Sequence, residues 1–254
     1  MLSEGKTGKY LKYAIGEIVL VVIGILIALQ VNNWNLQRKA VQEEIIILKN
    51  IKEDINLDTL DLYFNLSYHK KFYEAEMQLL NLLKSDTIAP SEMATIDFSD
   101  ALGTLLFTEL HVSTFNNLQN NDIGILSNNR LRKKISRFYD YYSKVILDMS
   151  NNFDGFKIYQ SKLPYFKQYF RITENAKIIL QISEEDLFEH NLGKFDILPF
   201  DLEGAKNDEA FKFTLNEVLF FRRAFINFHK AILEEIANLN VSIDEELKNL
   251  MNQN

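Results

Sequence analysis

Between Ile18 and Gln37 the chain carries no charged side chain, and from Ile18 to Leu29 every residue is Ile, Val, Leu, Gly or Ala. Such a stretch belongs either in a protein core or in lipid hydrocarbon, and its flanks decide between them. Tyr13 and Trp34 bracket it, separated by about 31 Å of helix, which is one hydrocarbon thickness. Amphipathic rings then sit at both interfaces. Lys6, Lys9 and Lys12 precede the run and Arg38-Lys39 follow it, a pattern foreign to a soluble core helix. A cleaved signal peptide would need a small-x-small site, yet the candidates near Ala28 end in Leu29, Gln30 or Val31. The expectation is an uncleaved anchor: a cytoplasmic stub over 1–12, a transmembrane helix over 13–34 and an extracytoplasmic domain over 35–254. Three lysines before the span against two basic residues after it favour a cytoplasmic N-terminus.

Within the span, Glu17, Gly24 and Ala28 fall within about 20° of one line at 100° per residue. One reading has Glu17 and Gln30 snorkelling toward headgroups. The other makes this a helix-association face, a carboxylate above a small-xxx-small strip that admits a second helix closely.

Beyond the span the chain has few helix breakers, with three Pro and nine Gly in 254 residues, and 19 Phe and 11 Tyr supply a real core. The fold class expected is all-α, an elongated bundle of long helices with one irregular excursion. Apolar residues at Val41, Ile45, Leu48, Ile51, Ile55, Leu62, Leu66, Tyr73, Met77 and Leu80 predict a helix running uninterrupted to Lys84. After a loop over 85–96, Asp97 or Ser99 caps a short helix through Phe107, and another covers Thr114 to Asn120, followed by a turn at 121–124. A second long helix is expected from Asn128 to Lys162, with Leu131, Ile135, Phe138, Tyr142, Val145, Met149 and Phe156 inside and Pro164 ending or kinking it. Residues 171–207 lack a period and form the excursion, with a short helix at Glu184–His190. A third long helix spans Asp208 to Asn238, and Ser242 with Glu245 makes a capping box for a final short one.

The absence of Cys excludes disulfides, thiolate metal sites and cysteine nucleophiles. With Glu4, Lys6, Lys9, Lys12 and Glu17 set aside, the remainder carries a formal charge of about −8, a poor match for nucleic acid. No HExxH, paired ExxH, GxSxG, P-loop or dinucleotide glycine pattern occurs, and the four His lie at no helical ligand spacing. We expect no catalytic residue, metal or cofactor.

Two groups of residues stand out against this background. Arg222 and His229 occupy the apolar stripe of the third long helix, and His69 lies near the stripe of the first, where a core favours Leu. These three form either a polar pocket, with Arg222 receiving a carboxylate or phosphate, or an internal ion pair with an acid such as Asp58 or Glu109. Arg130, Lys133, Lys134 and Arg137 make a basic stripe near a helix start, where the macrodipole disfavours cations. It is either a solvated face or a docking stripe for an acidic partner, or for Glu184-Glu185-Asp186 of the same chain.

The stretch GKYLKYAIGEIVLVVIGILIALQVNNWN, Gly8 to Asn35, closely resembles the start of a bacterial single-span membrane family of unknown function. The segments Ser113–Leu118, Gly124–Leu126, Asn129–Arg132 and Phe138-Tyr139 resemble the same family's internal pattern. The resemblance implies a Gram-negative inner membrane and a periplasmic helical domain, and it supplies no activity, cofactor or catalytic residue. The expected function is a non-enzymatic, membrane-anchored interaction module. Its partners are the lipid bilayer and either a second copy or another envelope protein, with no nucleic acid. The alternatives are a ligand-sensing ectodomain working through a partner membrane protein and, more remotely, a periplasmic enzyme.

Overall fold

The computed structural model describes residues 4–87, 93–121, 123–152, 157–173 and 196–252. Helix α1 (Glu4–Lys84) is one unbroken element of 81 residues, about 120 Å long. Its first part is apolar and exposed on every side, and this helix is long and apolar enough to cross a membrane. The expected continuity from the apolar stretch into the bundle is present. From Glu44 onward one face becomes buried, because Leu48, Ile51, Ile55 and Leu62 recur on a single side and find a partner there.

That partner is the last helix, α7 (Glu209–Asn252, 44 residues), which runs antiparallel to α1 along most of its own length. Lys52 pairs with Asp244, His69 lies against His229 and Glu76 meets Arg222, so the two helices pass without a register slip. All eight stripe residues expected on this helix, Phe211 through Ile236, are buried. The expected break before Ser242 does not occur. Leu239, Ile243, Leu247 and Leu250 extend the buried stripe, and the Ser242 hydroxyl donates back to the Asn238 carbonyl at 3.0 Å instead of capping a new helix. Tertiary burial thus overrides a local start signal.

Between these two helices lie α2 (Phe98–Ala101), α3 (Ser113–Asn121), a single 3-10 turn (Ile123–Ile125), α4 (Asn129–Asn152) and α5 (Ile158–Tyr169). Asp97 caps α2 as expected, accepting from the Asp100 N–H at 3.1 Å, but the helix stops at Ala101 and not at Phe107. The residues from Gly103 to Val112 carry no regular secondary structure and run between α1 and α7. Gly103 is needed where this segment begins: a Cβ there would lie 2.5 Å from the Phe72 ring. The single helix expected over 128–162 is two helices, α4 and α5. Pro164 lies inside α5 and does not end it, and Gln160, whose carbonyl Pro164 cannot serve, is on the exposed face. On α4, Val145 is only half-buried and the neighbouring Ile146 points inward, while Phe156 lies outside the described residues.

The excursion is held at its base by a small feature that an all-α reading omits. Strands β1 (Phe170–Ile172) and β2 (Ile197–Pro199) pair antiparallel, Phe170 opposite Pro199, and α6 (Leu202–Asn207) leads back to α7. The short helix expected at 184–190 lies outside the described residues. Buried side chains form two large apolar clusters. One joins Leu48, Ile55, Leu131, Ile135 and Ile236 near the start of the bundle; the other joins Leu79, Leu83, Phe166, Phe211 and Leu215 at its far end. A smaller cluster of Leu105, Ile158, Val218 and Phe225 lies beside a polar interior.

Because Phe72 leaves no room, Gly103→Ala should destabilise the domain by about 1–3 kcal/mol, the range for overpacking a tight contact. Urea unfolding of the detergent-solubilised chain measures it, and an unchanged midpoint would show that the contact relaxes freely.

Candidate functional site

Five helical positions on α1, namely Glu44, Asp58, Asn65, His69 and Glu76, are buried although polar, and each is answered by a group from another element. At Glu76 the answer is a fully buried cation pair. The Arg222 guanidinium grips the carboxylate side-on, with Nε to Oε2 and Nη2 to Oε1 both at 2.6 Å, and Lys162 Nζ from α5 donates to Oε1 at 2.5 Å. Two cations against one anion would be costly in a dry interior. Backbone carbonyls of the irregular segment supply the remaining acceptors. Lys162 donates to Ala101 O and Gly103 O, each at 2.8 Å, and Arg222 donates to Gly103 O and Thr104 O, each at 2.9 Å.

The last Arg222 N–H reaches Nδ1 of His69 at 3.3 Å, while Nε2 of His69 meets the Leu106 carbonyl at 3.0 Å. The partners therefore assign the tautomer: Nε2 carries the proton and Nδ1 accepts. Every N–H of the guanidinium and every proton of the ammonium then has an acceptor. Burial holds His69 far below its ordinary 6.5, at about 3, and the Arg222 charge pushes the same way. The His229 ring lies tilted against it with centroids 5.2 Å apart; it donates from Nδ1 to the Phe225 carbonyl, and its pKa is likewise lowered by burial. Burial also draws Lys162 down to about 8, against the pull of Glu76.

The structure thus brings Arg222, His69 and His229 together, but the acid expected opposite Arg222, Asp58 or Glu109, is neither of these. Glu109 is exposed, and Asp58 accepts from the backbone N–H and ring Nδ1 of His111 at 2.7 and 2.8 Å. Sequence reasoning missed Glu76 and Lys162. The signal available was the seven-residue spacing of Leu62, His69, Glu76 and Leu83, which puts Glu76 on the same buried line. The arrangement can lock helices together but offers no open position for a substrate. Among the described residues no group of three or more His, Asp or Glu side chains converges as a metal site requires.

The other candidates lie on the surface. Glu17, Gly24 and Ala28 are exposed on α1, and nothing lies within 4 Å of a Cβ built on Gly24. At 100° per residue, Ile46, Leu57 and Leu60 continue that line to within about 40°. They too are exposed, at 57%, 48% and 51%, opposite the buried Leu48, Ile55 and Leu62. Arg130, Lys133, Lys134 and Arg137 are exposed along one side of α4. Lys134 donates to Ser242 Oγ at 2.7 Å and, with Arg137 and Tyr141, borders a groove of about 380 Å³ against α7. The acidic segment proposed to meet them, residues 184–186, lies outside the described residues.

Residues 17–184 match a family of unknown function, DUF6090. No curated protein and no solved structure matches the chain.

Two measurements test the interior. Glu76→Gln strands two buried cations, and removing one partner of such a set should cost about 3–5 kcal/mol of stability. A loss below about 1 kcal/mol would mean that water reaches the cluster. For pH, a base whose pKa is depressed on folding stabilises the fold above its unfolded value, and that contribution is lost as pH falls toward the folded one. His69 should therefore cost about 2 kcal/mol between pH 7 and pH 5. Denaturant curves for His69→Gln should show a correspondingly shallower loss over that interval, and parallel curves for the two proteins would refute the assignment.

Proposed function

Given that the chain belongs to the DUF6090 family of unknown function, we propose that it is a non-enzymatic, membrane-anchored helical module whose outer surface engages other envelope components. In this reading α1 spans the inner membrane with its N-terminus in the cytoplasm, and the bundle stands in the periplasm. The observation that carries it is the single continuous helix. An apolar stretch exposed on all sides passes without a joint into the central stalk of a helical bundle. A rigid helix of this kind transmits position from the bilayer to the domain.

The occupied cations of the polar cluster favour this module over a sensor. A ligand-binding site built on Arg222, His69 and His229 would need unfilled donors, and those of Arg222 and Lys162 are satisfied by Glu76, His69 and the carbonyls of 101–104. The surface best suited to a second copy, or to the helix of another envelope protein, is the outer side of α1. The small-residue strip Gly24 and Ala28 and the exposed Ile46, Leu57 and Leu60 share one side of the same helix.

Cross-linking in native membranes tests this reading. The chain should give a defined adduct, and Gly24→Leu and Leu57→Glu should each reduce it about tenfold, equivalent to about 1.4 kcal/mol. Retention of the full adduct in both variants would discard the α1 face, and recovery of the chain in the aqueous fraction after a carbonate wash would discard the anchor.

A further inference from the structure

We propose that the basic side of α4 docks on anionic lipid headgroups of the bilayer that holds α1, so that the domain leans onto its own membrane. This rests on the anchoring proposed above. The tertiary structure supplies the placement. The Ser127 N–H and hydroxyl both donate to the buried Glu44 carboxylate, at 2.9 and 3.1 Å, and so pin the start of α4 beside residue 44 of α1. That level is ten residues beyond Trp34, about 15 Å along the helix. The headgroup layer itself takes up about 5–7 Å of that distance. Arg130 therefore lies within about one screening length, 8–10 Å, of the lipid phosphates when the domain stands upright. Arg137 is seven residues, about 10 Å, farther out. Tilting the domain toward α4 brings the whole stripe down.

The charges point the same way. Arg130, Lys133, Lys134 and Arg137 fall within about 100° on one side of α4, and no carboxylate among the described residues forms an ion pair with any of them. Three acids at this end are engaged elsewhere, Glu44 by Ser127, Asp244 by Lys52 and Glu246 by Asn128, and Glu235 borders the groove beside Lys134 and Arg137 without an ion pair to either. Arg130 sits in the first turn of the helix, with Lys133 and Lys134 just beyond it, where the helix dipole disfavours cations, and of the four Lys134 gains one hydrogen bond within the fold, to Ser242. An external anion offsets that cost. A bilayer surface suits a row of long, exposed, flexible cations better than a shaped protein pocket would, because headgroups are many, mobile and undirected.

The chain contains no Cys, so a single reporter can be placed at will. Asn129→Cys carrying a fluorophore is reconstituted in vesicles of phosphatidylcholine alone or with about 30% phosphatidylglycerol, each containing headgroup spin-labelled lipid as quencher. Quenching should be at least about twofold greater in the anionic vesicles, and should fall to the neutral level in about 0.5 M salt. Replacing all four cations by Gln should abolish the difference without preventing flotation. Equal quenching in both vesicles, with the chain floating in both, overturns the docking alone and leaves the stripe to an acidic protein. A chain that floats with neither vesicle overturns the anchoring and the docking together.

Discussion

One carboxylate organises the interior of this protein. Glu76 receives Arg222 from the last helix and Lys162 from α5, so a single group on α1 fixes two other elements at once. The excess positive charge is spread over the carbonyls of residues 101, 103 and 104, and that requirement explains why the chain abandons helical geometry after Ala101. A helix keeps its carbonyls for itself, whereas an irregular strand of chain can turn them toward a neighbour. Gly103 permits the necessary approach to Phe72, whose ring also lies 5.1 Å from the guanidinium of Arg222.

Hydrophobic residues of similar volume would hold the same helices with less desolvation. What the charges add is selectivity between registers. Two long antiparallel helices with repetitive apolar stripes can slide by one heptad at modest cost, since Leu and Ile replace one another. Sliding α7 against α1 would leave Arg222 and Glu76 buried without partners. The polar cluster sits between two apolar clusters that by themselves are tolerant of slippage, so it fixes the register for both.

The same helix that bears Glu76 continues into the exposed apolar stretch at its other end. Interior and apolar stretch are therefore carried by one unbroken helix. This couples the surface features, the outer face of α1 and the basic side of α4, to a common frame.

The long helices, the buried stripe of α7 and the anomaly of Arg222 and His229 within it were legible in the sequence, because periodicity and side-chain polarity are properties of the chain alone. So was the apolar segment, which needs no partner to be recognised. The acid opposite Arg222 was not legible, since residues 76 and 222 are neighbours only after two helices pack, and spacing along a chain carries no phase between separate elements. Local signals failed where packing outweighed them. Ser242 and Glu245 read as a helix start, yet Leu239 and Ile243 bury the helix straight through it. Sequence composition determined what this protein is made of, long amphipathic helices and one greasy segment. Tertiary structure decided which charges meet, because the free energy of burying an ion depends on everything around it and not on its place in the sequence.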